Sequence, residues 1–150
     1  MENPYMLLAI QQARLAMEKD EVPVGAVIVL GNRVIAAAHN LRETRKSATA
    51  HAEIAAIEAA CEALGAWRLT GCDLYVTLEP CIMCAGAIIN ARIRSLYFGA
   101  FDPKAGACGS VTDVFLLKQL NHRVTVYSGI MEDACSALLK EFFQNKRESQ

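Results

Sequence analysis

The sequence predicts an α/β fold, a three-layer α/β/α sandwich with a five-stranded mixed sheet, and two observations carry that expectation. Short β-branched runs alternate with segments of helical period along the whole chain, the pattern of a sheet covered by helices on both faces. The composition, 53% hydrophobic and 21% charged over 150 residues, is that of a single globular domain spanning 1–150, with no internal repeat or linker. A domain of this size buries roughly 68–70% of its unfolded surface, so apolar burial alone can hold it together.

Asn3 is placed to cap a first helix with Pro4 at its first position, and Met6, Ile10, Ala13 and Met17 recur on one face. Val22-Pro23-Val24-Gly25 leads into a strand over Ala26 to Leu30, and Gly31-Asn32 turns the chain into a second strand from Val34 to Ala38. Gly25 marks either a close backbone approach to a ligand or a plain bend. Leu41 to Thr49 has no apolar period and carries Arg42, Arg45 and Lys46, so a basic loop is expected there. A second helix follows His51, its core face marked by Ile54, Ile57, Cys61 and Leu64, with Gly65 as its stop. Leu74 to Leu78 reads as a buried strand delivering Glu79-Pro80-Cys81. The helix after it, Ile82 to Ala91 with its start set by Pro80, is apolar nearly all round and needs two partners, the sheet and either more core or a second subunit; a homodimer is favoured. Ser95 to Gly99 and Val124 to Ser128 complete the sheet, Phe101 to Ser110 is a loop by composition, and a last helix after Gly129 packs Met131, Cys135, Leu138, Leu139 and Phe142.

Chemistry concentrates in Pro80-Cys81-Ile82-Met83-Cys84. Two thiols three residues apart at a helix start share one face, and the free N–H groups there favour thiolate, so Cys81 and Cys84 can bind one metal ion. A redox dithiol is the rival reading of a lone CxxC. The other cysteines, Cys61, Cys72, Cys108 and Cys135, are scattered singly and do not complete a four-thiolate site. His51 in Ala50-His51-Ala52-Glu53 is the strongest third ligand, which leaves Glu53 free as a base. Three protein ligands and an open fourth position define a catalytic zinc site, and H-x-E followed by P-C-x-x-C is the signature by which zinc base deaminases are known.

Composition sets further bounds. The N-terminus lacks the basic region of a signal peptide, and no uncharged apolar run approaches the ~20 residues of a membrane span, so a cytoplasmic location with reduced cysteines is expected. A formal net charge of −1 gives no global basic field, so any nucleic-acid binding must use a local patch.

The chain resembles the bacterial tRNA-specific adenosine deaminases of the cytidine-deaminase fold superfamily. The likeness rests on Glu21-Val22-Pro23-Val24-Gly25-Ala26, His39-Asn40, Thr49 to Ile54, Tyr75 to Ala87, Phe98-Gly99-Ala100, Asn121-His122-Arg123-Val124 and Phe142-Phe143, and it covers nearly the whole length. The resemblance implies a cytidine-deaminase-like fold, one Zn2+ per subunit on His51, Cys81 and Cys84, and Glu53 as the proton-transfer group. It further implies conversion of adenosine to inosine at the wobble position of an arginine tRNA, by a homodimer that binds the anticodon stem-loop. Asn40 and the Ala52 backbone would contact the flipped nucleoside, and Arg42, Asp102, Lys104, Phe142, Phe143, Lys146 and Arg147 would border the RNA. Two rivals use the same residues differently: a deaminase of a free base such as guanine or cytosine, and an RNA-binding protein whose zinc is structural.

Overall fold

The computed structural model describes residues 2–149; Met1 and Gln150, the ends of the expected 1–150 domain, lie outside the described residues. Helix α1 (Pro4–Glu18) begins where its local sequence says it should, with the Asn3 side chain accepting from the N–H groups of Tyr5 and Met6 at 3.0 Å each. Strands β1 (Gly25–Leu30) and β2 (Arg33–His39) form the antiparallel hairpin, turning at Gly31 with φ of 64°. Helix α3 (Ala52–Leu64), preceded by a short helix α2 (Arg42–Arg45), ends on Gly65 in the left-handed conformation. Strand β3 (Cys72–Leu78), helix α4 (Ile82–Asn90) and strand β4 (Ser95–Ala100) form a parallel crossover unit. Strand β5 (Thr125–Tyr127) and helix α5 (Glu132–Glu148) close the chain.

The five strands run in the order β2-β1-β3-β4-β5, antiparallel on the hairpin side and parallel from β3 to β5. Period-two alternation assigns each central strand to two cores. Ala26, Ile28, Leu74, Val76, Leu96 and Phe98 face α3 and α4, while Val27, Val29 and Tyr75 face α1 and α5. This is the three-layer sandwich of a cytidine-deaminase-like fold. On the second face Tyr75, Tyr97 and Tyr127 stand in register on adjacent strands and stack with centroids 4.4 and 4.6 Å apart.

Three local expectations need correction. Residues 41–49 are not all loop, because α2 forms inside them. Leu41 at its N-cap offers no acceptor; instead the buried Glu21 carboxylate accepts from Glu43 N at 3.1 Å and Thr44 N at 2.6 Å. A cap borrowed from twenty residues upstream is invisible to local reading. Helix α4 begins at Ile82 as expected, but the two thiols do not share its face: Cys81 is its N-cap, in extended conformation, and only Cys84 lies in its first turn. Finally, Gly25 is more than a plain bend: helix packing requires it, since a Cβ there would lie 2.0 Å from Ala9 O and 2.5 Å from Ala13 N of α1. The loop after β4 also contains a 3-10 turn, Val114–Leu116, capped by the Asp113 side chain.

Two expected outcomes follow from this packing. Gly25→Ala should destabilise the fold by about 3 kcal/mol through overpacking against α1, measured by urea denaturation; a loss under about 1 kcal/mol would refute so close an approach. Burial opposes ionisation of Glu21, but the hydrogen bonds from Thr44 and Glu43 outweigh it and hold the carboxyl below its ordinary value. A depressed pKa contributes stability that is present above the unfolded value and lost as pH falls through the folded one. Glu21→Gln should therefore cost about 2 kcal/mol at neutral pH, and the gap to the parent protein should close as denaturation is repeated below the ordinary glutamate range. A gap that persists or widens in acid would contradict a charged cap.

Candidate functional site

The starts of α3 and α4 meet on one face of the sheet. His51 is the N-cap residue of α3, Cys81 is the N-cap residue of α4, and Cys84 stands one turn further along α4. Residues at helix N-caps are extended, so their side chains turn out of the helix axis towards the neighbouring start. The outcome is convergence: His51 Nδ1 lies 3.7 Å from Cys81 Sγ and 3.6 Å from Cys84 Sγ. All three donor atoms fall within 4.8 Å of one another, and among the described residues this is the group of His, Cys, Asp and Glu side chains that can hold a metal ion. The group has three members, not four. Cys108 is close by, held to Pro80 O at 3.9 Å, but stands outside it. All six cysteines are free.

Electrostatics within the group are those of thiols crowded around a common point. The hydrogen bond from the Cys84 thiol, joined by His51, pulls Cys81 down to about 3 against the opposing effect of burial. The same hydrogen bond and burial push Cys84 up, because it is the donor of the shared proton. His51 is raised, chiefly by its contact with Cys81. Two thiols so placed resist losing both protons unless a cation neutralises them. Glu53, in the first turn of α3, is 4% exposed, and burial pushes its carboxyl up to about 7.

These side chains open into a hollow of about 180 Å³. Asn40, Arg42, Ala52, Glu53, Glu79, Asp102 and Ala105 are among the residues that line it. Asn40 is fixed at both ends of its amide: Nδ2 donates to Val22 O at 3.3 Å and Oδ1 accepts from Arg42 N at 3.2 Å. Asp102 Oδ1 accepts from the N–H groups of Lys104 and Ala105 at 3.0 and 3.2 Å, a tight turn beside the hollow.

A second hollow, about 470 Å³, shares Val22, Asn40 and Arg42 with the first and continues to Phe142 and Lys146 on α5. A third, about 660 Å³, shares Lys146 and is lined by Lys104, Lys140, Phe143 and Arg147. A connected surface thus runs from Glu53 to the C-terminal helix, and every sequence-nominated site residue lies on it or in the metal-ligand group. Their exposures differ. Phe143 is 46% exposed, whereas Phe142 is packed at 7%, with Lys146 Nζ 5.6 Å from its ring centroid. Lys146 also pairs with Asp20 at 2.6 Å. The sequence reading missed Glu21 and Glu79, whose carboxylates hold the segments bordering the hollow; an acid beside an otherwise apolar strand is the only signal either leaves.

Comparison with known proteins agrees with this geometry. A family model for MafB19-like deaminases matches residues 2–147. Tied to that are curated relatives called tRNA-specific adenosine deaminase: one from Agrobacterium fabrum is 54% identical over 143 residues, 95% of this chain and 94% of the relative. Another, from Bacillus subtilis, is 50% identical over 143 residues, 95% of this chain and 89% of the relative. A solved structure described under A-to-I editing by tRNA:A34 deaminases at the wobble position superposes with a TM-score of 0.89 at 54% identity, covering 92% of this chain and all of that one. The paired helix starts, the three-ligand group and these similarities together place the chain among the MafB19-like deaminases, in the family of the bacterial tRNA-specific adenosine deaminases.

Proposed function

We propose that this chain is a zinc-dependent hydrolase that converts adenosine to inosine at the first anticodon position of a tRNA, acting as a single domain. The observation that carries the reading is a three-ligand group beside a buried carboxylate, in a hollow with room for one base. Tetrahedral zinc, about 2.3 Å from sulfur and about 2.0–2.1 Å from nitrogen, requires N to S separations of about 3.6 Å. The observed 3.6 and 3.7 Å suit it. One imidazole and two thiolates are also the ligand types zinc prefers, and three of them fit a catalytic site. His51, Cys81 and Cys84 would hold one ion per subunit, which when bound polarises water towards hydroxide.

Glu53 does the proton work. It takes a proton from the attacking water and delivers it to a ring nitrogen, then takes the remaining proton from the new C6 hydroxyl and hands it to the amine as the C6–N bond breaks and ammonia leaves. The water oxygen ends as the inosine carbonyl. Asn40 and the Ala52 backbone would hold the flipped nucleoside, a role supported by their place beside Glu53 in the hollow. Arg42, Asp102, Lys104, Phe142, Phe143, Lys146 and Arg147 would border the anticodon stem-loop, supported by their place along the connected surface. An anticodon loop suits so small a hollow: extruding a base costs a few kcal/mol, least where it is already unpaired. The choice of an arginine tRNA rests on family resemblance.

A homodimer is the proposed assembly. Ile82 on α4 is 67% exposed and Leu116 on the adjoining 3-10 turn 74%, apolar surface that a second copy would cover. A cytoplasmic setting follows from a tRNA substrate; among the described residues no helix is long and apolar enough to cross a membrane.

The decisive assay offers tRNA, free adenosine, guanine and cytosine side by side, measuring inosine and ammonia. Inosine in tRNA is expected; turnover of a free base alone would sink the RNA reading. Glu53→Gln should keep its metal and its fold while turnover drops by at least about 10²–10⁴-fold. Chelation of the parent protein should abolish turnover, with readdition of zinc restoring it. The Michaelis constant for tRNA should climb steeply with salt, because phosphate contacts release counterions; a flat salt response would point to a free base.

A further inference from the structure

Glu79 is a buried acid that the proton chemistry does not use. It is 2% exposed, stands two residues before Cys81, and takes part in no ion pair among the described residues. Its carboxylate is nonetheless saturated, and by one segment. Oε1 accepts from Asp102 N at 3.0 Å and from the Ser110 hydroxyl; Oε2 accepts from Cys108 N at 3.0 Å and Ser110 N at 3.1 Å. The loop closes over the acid so tightly that a Cβ on Gly106 would lie 2.3 Å from the Glu79 carboxyl carbon. The same loop carries Asp102 and Ala105, which line the hollow of Glu53, and Lys104, which lines the basic hollow beside α5.

We propose that Glu79 is a positioning residue for RNA: it clamps residues 102–110 against the metal-ligand segment, and so sets the distance between the reacting base and the loop that borders the flanking nucleotides. The clamp rests on the RNA-deaminase reading above. The segment that presents Cys81 thus also presents the acid that holds the loop lining the same hollow. An open loop here would leave the metal ligands in place while losing one face of the substrate site.

Glutamine at position 79 makes the claim testable at a single hydrogen bond. Its one oxygen can keep the amides of Cys108 and Ser110, and its NH2 then faces the Ser110 hydroxyl, which can turn to accept, and Asp102 N–H, which cannot. The lesion falls on Asp102. A lost buried hydrogen bond of about 1–3 kcal/mol corresponds to roughly 5–150-fold. Glu79→Gln is therefore expected to raise the Michaelis constant for an anticodon stem-loop RNA about tenfold, with kcat within about threefold and the metal content of the parent. Ser110→Ala, which leaves the Asp102 link intact, should stay within about twofold in both constants. An unchanged Michaelis constant in Glu79→Gln, activity lost only in proportion to metal or folded protein, or an equal rise in Ser110→Ala would each overturn the proposal.

Amide hydrogen exchange in the parent protein decides the matter even if Glu79→Gln does not fold. The Asp102, Cys108 and Ser110 amides should exchange at least about a hundredfold more slowly than unstructured amides; free-loop rates would overturn the clamp. Protected amides in a parent protein that deaminates no RNA would sink the RNA reading while leaving the clamp itself standing.

Discussion

The approach of one imidazole nitrogen to two thiols, at 3.6 and 3.7 Å, is the constraint on which the rest of the molecule turns. Meeting it requires two helix starts side by side, and helix separation is set by the side chains between them. Along α3, Ala52, Ala56 and Ala60, spaced four residues apart, are fully buried in the core that the two helices share, and α4 contributes Ala85 to it. Small residues let both helices settle onto the same sheet face. Beneath them Leu74 and Val76 on β3 with Leu96 and Phe98 on β4 form the core on which both helices rest. Local capping, core packing and ligand geometry are therefore one problem solved once.

Three buried glutamates show how the same side chain is given different work. Glu21 and Glu79 are buried as deeply as core leucines, yet each is surrounded by backbone N–H groups, so that hydrogen bonding outweighs burial and keeps the carboxyl below its ordinary value. Such a group stays charged and ties distant segments together. Glu53 meets burial without a comparable cage, and its carboxyl is pushed up to about 7, where gaining and losing a proton are nearly balanced. Glu79 and Glu53 line one hollow and Glu21 the adjoining one.

What could be read from sequence was whatever depends on neighbours along the chain. The Asn3-Pro4 start, the Gly31 turn, the Gly65 stop and the H-x-E and P-C-x-x-C spacings are all local, and the structure realises each. What escaped depends on residues far apart in sequence. Helix α2 is capped by Glu21 and not by Leu41; Gly25 is required by Ala9 and Ala13 of another element; the order of residues 102–110 comes from Glu79. Phe142 illustrates the boundary: its helical register announced a packed stripe, and its 7% exposure agrees, while the RNA contact expected of it came from resemblance.

A net charge of −1 need not work against an RNA-facing surface, because placement matters more than sum. Lys140, Lys146 and Arg147 on α5 and Lys104 across from them border one hollow, so four cations converge where the whole chain is nearly neutral. Lys146 and Arg147 occupy the last turn of α5, where cations offset the partial negative charge of the helix C-terminus and so stabilise the helix before any ligand arrives. Lys146 is also paired with Asp20, but both partners are substantially exposed, and exposed pairs are worth about 0–1 kcal/mol. On the proposed RNA reading a phosphate would therefore replace Asp20 at little cost, while Lys146, over the Phe142 ring, lines both the basic hollow and the one leading to Asn40. The ion pair holds the cation in place without withholding it.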